Sequence, residues 1–119
     1  MKKWDRIIMM DWSGGNDTGA RPCKDAIWMA EARGGQVETP VYLRNRKLAE
    51  ARLQEEIAAS ISAGERLLLG FDFPFGYPKG FGTAVTGSPD PFAIWDWVSD
   101  RIEDTPESNN RFDVAAELN

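Results

Sequence analysis

The sequence contains no histidine and a single cysteine, Cys23. These two scarcities remove whole classes of chemistry: Cys/His zinc sites, Cys–His and Ser-His-Asp nucleophile systems, and haem held by histidine. An internal disulfide is excluded too. A metal site has to be built from oxygen ligands, which selects magnesium, manganese or calcium. No apolar run approaches the roughly 20 residues of a membrane span, so no membrane partner is expected. Charges (Lys2, Lys3, Asp5, Arg6) precede any apolar stretch at the amino terminus, unlike a secretory signal, and a reducing cytoplasm is the expected location. Positive charge is scarce in the second half: residues 1–60 carry 10 Lys/Arg and 9 Asp/Glu, residues 61–119 only 4 against 10. Such an acidic chain does not hold nucleic acid by bulk electrostatics; a polyanion would need metal ions or a local basic patch.

What is present reads as a globular chain. Its 119 residues, 42% hydrophobic with five tryptophans, fit one domain over residues 1–119. Ile7–Met10 is a short apolar run ended by Asp11, which predicts a buried strand over 5–11. Residues 13–19, rich in glycine, Ser, Asn and Asp, form a loop. Residues 26–30 predict a second strand, Arg33-Gly34-Gly35-Gln36 a hairpin turn, and residues 37–43 a third strand placed at an edge by Pro40. Asn45 is the expected cap of a helix whose apolar stripe is Ala49, Leu53, Ile57 and Ile61, widened by Leu48 and Ala58, with Gly64 as its stop. Residues 66–73 are apolar on both alternations, the pattern of a strand covered on both faces. An aromatic loop follows, then a helix begun by Asp90-Pro91 with Phe92, Trp95, Val98 and Ile102 as its apolar face. After a polar linker at 105–109, Asn110 caps a last helix (Phe112, Ala115, Ala116, Leu118) that reaches Asn119 without a stop signal. The expected architecture is α/β, three helices on a mixed sheet of order 3-2-1-4. The helical crossover sets the fourth strand parallel to the first.

That topology brings two strand-end carboxylates, Asp11 and Asp72, to one edge of the sheet, on strands only about 4.8 Å apart. Two such carboxylates repel, and a divalent cation relieves the conflict. Mg²⁺ or Mn²⁺ held there activates water toward a phosphodiester. The Ser13–Gly19 loop offers main-chain N–H groups as a phosphate cradle, with Ser13, Gly14 and Gly15 as the candidate cofactor-binding residues. An ordinary hairpin loop is the plainer alternative. Phe73, Phe75, Tyr77 and Phe81 either stack an aromatic ligand or pack their own loop. Lys79 and Arg111 are candidate phosphate contacts or solvated surface charges.

The strings Met10-Asp11-Trp12-Ser13-Gly14 and Gly70-Phe71-Asp72-Phe73-Pro74-Phe75-Gly76 resemble an uncharacterised family of predicted nucleases with a ribonuclease H-like fold. The resemblance covers residues 5–80. It implies that Asp11 and Asp72 are catalytic metal ligands. The fold it implies has a fifth strand and a further acidic ligand from the C-terminal part, for which Glu117 or Asp113 would stand in. The absent strand makes the C-terminal part incomplete. The expectation is an N-terminal portion of a longer chain, or self-association through the 67–73 strand edge or the 111–119 helix. The function expected is a metal-dependent phosphodiester hydrolase acting on nucleic acid or a small phosphorylated substrate. The alternatives are a nucleotide-binding domain like those of actin and the sugar kinases, or a non-enzymatic binding domain on the same fold.

Overall fold

Strands form where apolar residues alternate or run together, and one long helix closes the crossover between two of them. The computed structural model describes residues 4–14, 17–105 and 108–119. Among the described residues the chain is mixed α/β, a mixed sheet of five strands with four helices. It divides into two compact units, Met1–Phe73 and Pro74–Asn119.

In the first unit, β1 (Arg6–Asp11) pairs antiparallel with β2 (Trp28–Arg33), in a register running from Arg6 opposite Arg33 to Asp11 opposite Trp28. The second strand starts later than the apolar run 26–30 suggests, because Ala26 and Ile27 are buried in the preceding loop. Gly34 and Gly35, with φ of +61° and +88°, make the tight turn from β2 to β3 (Gln36–Val37). That left-handed pair is the geometry a two-residue hairpin demands and glycine supplies without strain. The expected third strand is split: β3 ends at Val37 and β4 (Val41–Tyr42) resumes beyond Pro40, both on β2. Proline has no N–H to give a ladder, so the exposed Pro40 falls in the break. Helix α1 (Arg46–Ser62) starts where the Asn45 side chain accepts the Leu48 N–H, and Gly64, at φ +64°, follows its end. The crossover then lays β5 (Leu67–Phe71) parallel to β1. The strand order is β3-β2-β1-β5 with β4 also on β2. This differs from the expected four-strand 3-2-1-4 because the sheet has five strands. Strand β5 ends the path, and all five of its residues are half-buried.

Ile8, Met10, Ile27, Met29, Leu43, Ala49 and Leu53 form the core, with Trp12, Leu67, Leu69 and Phe71 packed on it. Each fully buried Ile or Met of this set contributes about 1.5–3 kcal/mol. The buried face of α1 is not the predicted stripe. Ala49 and Leu53 are buried as expected, but the next inward positions are Glu56 and Ser60, while Leu48, Ile57 and Ile61 are exposed. The cause is Arg6, only 3% exposed at the start of β1. Its guanidinium donates to Glu31 through Nε (2.7 Å) and Nη2 (2.8 Å), to Ser60 Oγ (3.2 Å), to the Glu56 carbonyl (3.3 Å) and to the Glu56 carboxylate. All five guanidinium N–H groups thus have acceptors. The Glu31 hydrogen bonds raise the pKa of Arg6, and the same bonds hold the Glu31 carboxyl below its ordinary range.

In the second unit, α2 (Phe81–Thr86) forms within the stretch expected to be a loop, which makes four helices rather than three. Gly80 enters it at φ +87° and Gly87 leaves it at φ +72°. Helix α3 (Ala93–Ser99) begins just after the Asp90-Pro91 start signal, with the Phe92 N–H on Asp90 Oδ1 at 2.9 Å. Its buried residue is Ile94, whereas Phe92 and Trp95 are exposed. Helix α4 (Arg111–Leu118) buries Val114 and exposes Phe112, again not the predicted face. Asn110 precedes α4, but its side chain serves the Arg101 carbonyl and the Glu103 N–H instead of capping the helix. Part of the predicted linker, Pro106 and Glu107, lies outside the described residues; around it, Thr105 N–H bonds the Ser108 carbonyl at 2.8 Å.

Candidate functional site

Along β1 the side chains alternate between faces. Arg6, Ile8 and Met10 are buried, while Met9 and Asp11 are exposed on the opposite face. The parallel register ends with Met10 opposite Phe71; Asp11 is the last residue of β1 and Asp72 the first residue beyond β5, and both line one cleft. The Trp12 N–H donates to Asp72 Oδ1 at 2.9 Å, which ties the end of β5 to the end of β1 and leaves the second Asp72 oxygen outside that bond. Among the described residues, no hydrogen bond or ion pair engages the Asp11 carboxylate. Trp12 itself turns to the other face and meets Phe71 and Phe73 edge-on, at ring distances of 6.1 and 5.8 Å. Phe73 therefore packs the strand end, the plainer of its two expected roles.

Both aspartates open onto a cleft of about 350 Å³ whose other walls include Met9, Trp28, Ala30 and Pro40. Trp28 stands opposite Asp11 in the β1–β2 ladder and leans on Tyr42, ring centroids 5.1 Å apart. Met9 lies across Gly70: a Cβ there would come within 2.4 Å of its sulfur. The cleft is apolar apart from the two carboxylates.

The loop after Asp11 is fastened by side chains that sequence reasoning did not single out. Asp17 takes the Gly19 N–H at 2.8 Å and the Tyr42 hydroxyl, and Tyr42 takes the Cys23 N–H at 3.1 Å. The Tyr42 bond holds the Asp17 carboxyl below its ordinary range, while desolvation and that same bond push the Tyr42 phenol up. Arg44 donates to the Gly19 carbonyl and Arg46 to the Gly14 carbonyl. The only advance sign of this clamp was the cationic string Arg44-Asn45-Arg46-Lys47 at the start of α1. Of the candidate cradle residues, Ser13 is half-buried, Gly14 is exposed, and Gly15 lies outside the described residues.

Glu117 and Asp113 belong to the second unit. Glu117 pairs with Arg101 at 3.4 Å, and Asp113 sits in the first turn of α4. Among the described residues no group of three or more Asp, Glu or Cys side chains is arranged to hold a metal ion. Tyr77 stacks on Phe81 at 4.8 Å and meets Trp95 at 5.6 Å. Lys79 and Asp90 line a second cavity of about 270 Å³ in that unit. Arg111 lies over the Phe112 ring at 4.9 Å, and Cys23 is exposed. Among the described residues no helix is long and apolar enough to cross a membrane. No protein-family model, curated protein or solved structure matches the chain.

Proposed function

We propose that the chain is a metal-dependent phosphodiester hydrolase on a ribonuclease H-like sheet, with Asp11 and Asp72 as ligands of Mg²⁺ or Mn²⁺. The observation that supports this most is the parallel β1–β5 register, which ends just before Asp11 and Asp72, together with the one cleft that both aspartates line. The donor set fits a hard divalent ion, one that takes oxygen ligands and keeps several of its waters, so two carboxylates suffice. When bound, such an ion supplies Lewis acidity toward a phosphoryl oxygen and makes a nearby water more acidic. The chain's own contribution is placement. The Trp12 N–H fixes one Asp72 oxygen, and Met9, Trp28 and Pro40 set an apolar wall beside the pair.

The test is thermal unfolding with and without MnCl₂, together with hydrolysis of bis(p-nitrophenyl) phosphate. Saturating Mn²⁺, at about 100 times its Kd, stabilises the folded chain by about 2.7 kcal/mol. Asp11→Asn combined with Asp72→Asn abolishes both that shift and the hydrolysis. The Asp72→Asn change keeps a carbonyl oxygen for the Trp12 N–H, so the strand end stays tied. An unchanged Mn²⁺ shift in the double variant refutes the reading.

A further inference from the structure

The cleft beside the carboxylates has walls that two metal ligands alone do not require. Trp28 and Met9 share the face that carries Asp11, Trp28 as its direct cross-strand partner. Trp28 is half-buried, with its indole propped at 53° against Tyr42, and Met9 is 50% exposed. Gly70 lets the Met9 thioether lie along the sheet, because any side chain at that position would occupy its place. The result is a cleft with a polarisable thioether and an aromatic ring in its lining, beside the two carboxylates. A cleft of about 350 Å³ takes a planar heteroaromatic ring with its sugar. Aromatic and thioether surfaces hold such a ring by its face and do not read its hydrogen-bonding edge.

We propose that this cleft is a nucleobase subsite, so that the phosphorylated substrate is a nucleotide or the end of a single strand, held with its base against Trp28 and Met9 and with little preference among bases. The proposal rests on the metal reading for the placement of the phosphate, since two bare carboxylates repel a phosphate. The base contact itself does not depend on the metal. Bases in the interior of a duplex, stacked on both sides and paired, offer no free ring face to this wall.

Isothermal titration of the full chain with adenosine 5′-monophosphate and with ribose 5-phosphate, each with and without MnCl₂, tests the subsite. One stacked base is worth about 5- to 150-fold in affinity. The expected result is a preference of about 10-fold or more for the nucleotide, retained in Trp28→Phe and lost in Trp28→Leu. Met9→Ala, an exposed position whose truncation spares the core, lowers the preference and serves if Trp28→Leu does not fold. Equal affinity for the two ligands, or a preference unchanged in Met9→Ala and Trp28→Leu, overturns the subsite. Mn²⁺ binding that needs Asp11 but brings no nucleotide preference overturns it while leaving the metal reading intact. A Trp28-dependent preference without Mn²⁺ binding supports the subsite and overturns the metal reading.

Discussion

Replacing Arg6 by methionine is the sharpest test of how the sheet and α1 are held together. Methionine fills much of the same space but donates no hydrogen bonds. The Glu31 and Glu56 carboxylates, with side chains 16% and 11% exposed, would then face each other without the guanidinium between them. Removing one partner of a buried ion pair costs about 3–5 kcal/mol, because the surviving charges stay largely desolvated with only the partly exposed Arg33 and Arg52 beside them. A chain of this length has about 6–15 kcal/mol of stability in all. With a urea slope of about 2 kcal/mol per molar, the midpoint falls by about 1.5–2.5 M. Circular dichroism at 222 nm follows the transition through the 17-residue α1. Replacing Arg6, Glu31 and Glu56 together by apolar residues should recover most of the loss, since no buried charge remains. The pH dependence supplies an independent sign. Arg6 depresses the Glu31 pKa in the folded state, so this stabilisation is present above about pH 4.5 and is lost as pH falls through the depressed folded value. Arg6→Met should flatten that acid limb. A midpoint within about 0.5 M of the parent, or an unchanged acid limb, would refute the reasoning.

Asn45→Ala removes the acceptor of the Leu48 N–H and a donor to the Asp17 carbonyl, and should lower stability by about 1 kcal/mol in the same urea assay, with Asn45→Asp retaining most of the cap. Gly70→Ala meets only the flexible end of Met9; it should cost about 1 kcal/mol or less while displacing the thioether, a shift visible in the Met9 methyl resonance. Tyr42→Phe deletes the hydroxyl that accepts the Cys23 N–H and donates to Asp17. Faster hydrogen exchange at the Cys23 amide is expected, with the urea midpoint little changed.

The strands and the helical crossover were legible because their signals are local: the apolar run before Asp11, the Gly34-Gly35 turn, the Asn45 cap. The parallel pairing of β5 with β1 was legible for a topological reason, since a helix between two strands makes a parallel neighbour. The buried face of α1 was not. Periodicity favours burying Ile57 and Ile61, yet Glu56 and Ser60 face inward because Arg6, in a strand that reads as purely apolar from Ile7 on, has to be satisfied. A long-range polar demand of that kind leaves no periodic trace. Helix α2 escaped notice because six residues between glycines carry too little pattern. The cleft escaped notice because it depends on where the Met9 side chain lies over Gly70, a packing fact rather than a composition one.

The two ends of β1 carry different burdens. Arg6 anchors the ion network at one end, and Asp11 stands at the other, five residues on, which is about 16 Å along a strand. Substitutions that far apart without shared partners combine additively. The residues around Asp11, Trp28 and Asp72 can therefore change while Arg6, Glu31 and Glu56 keep the sheet and helix locked. New ligand preferences can be selected at one end of the strand without eroding the stability held at the other.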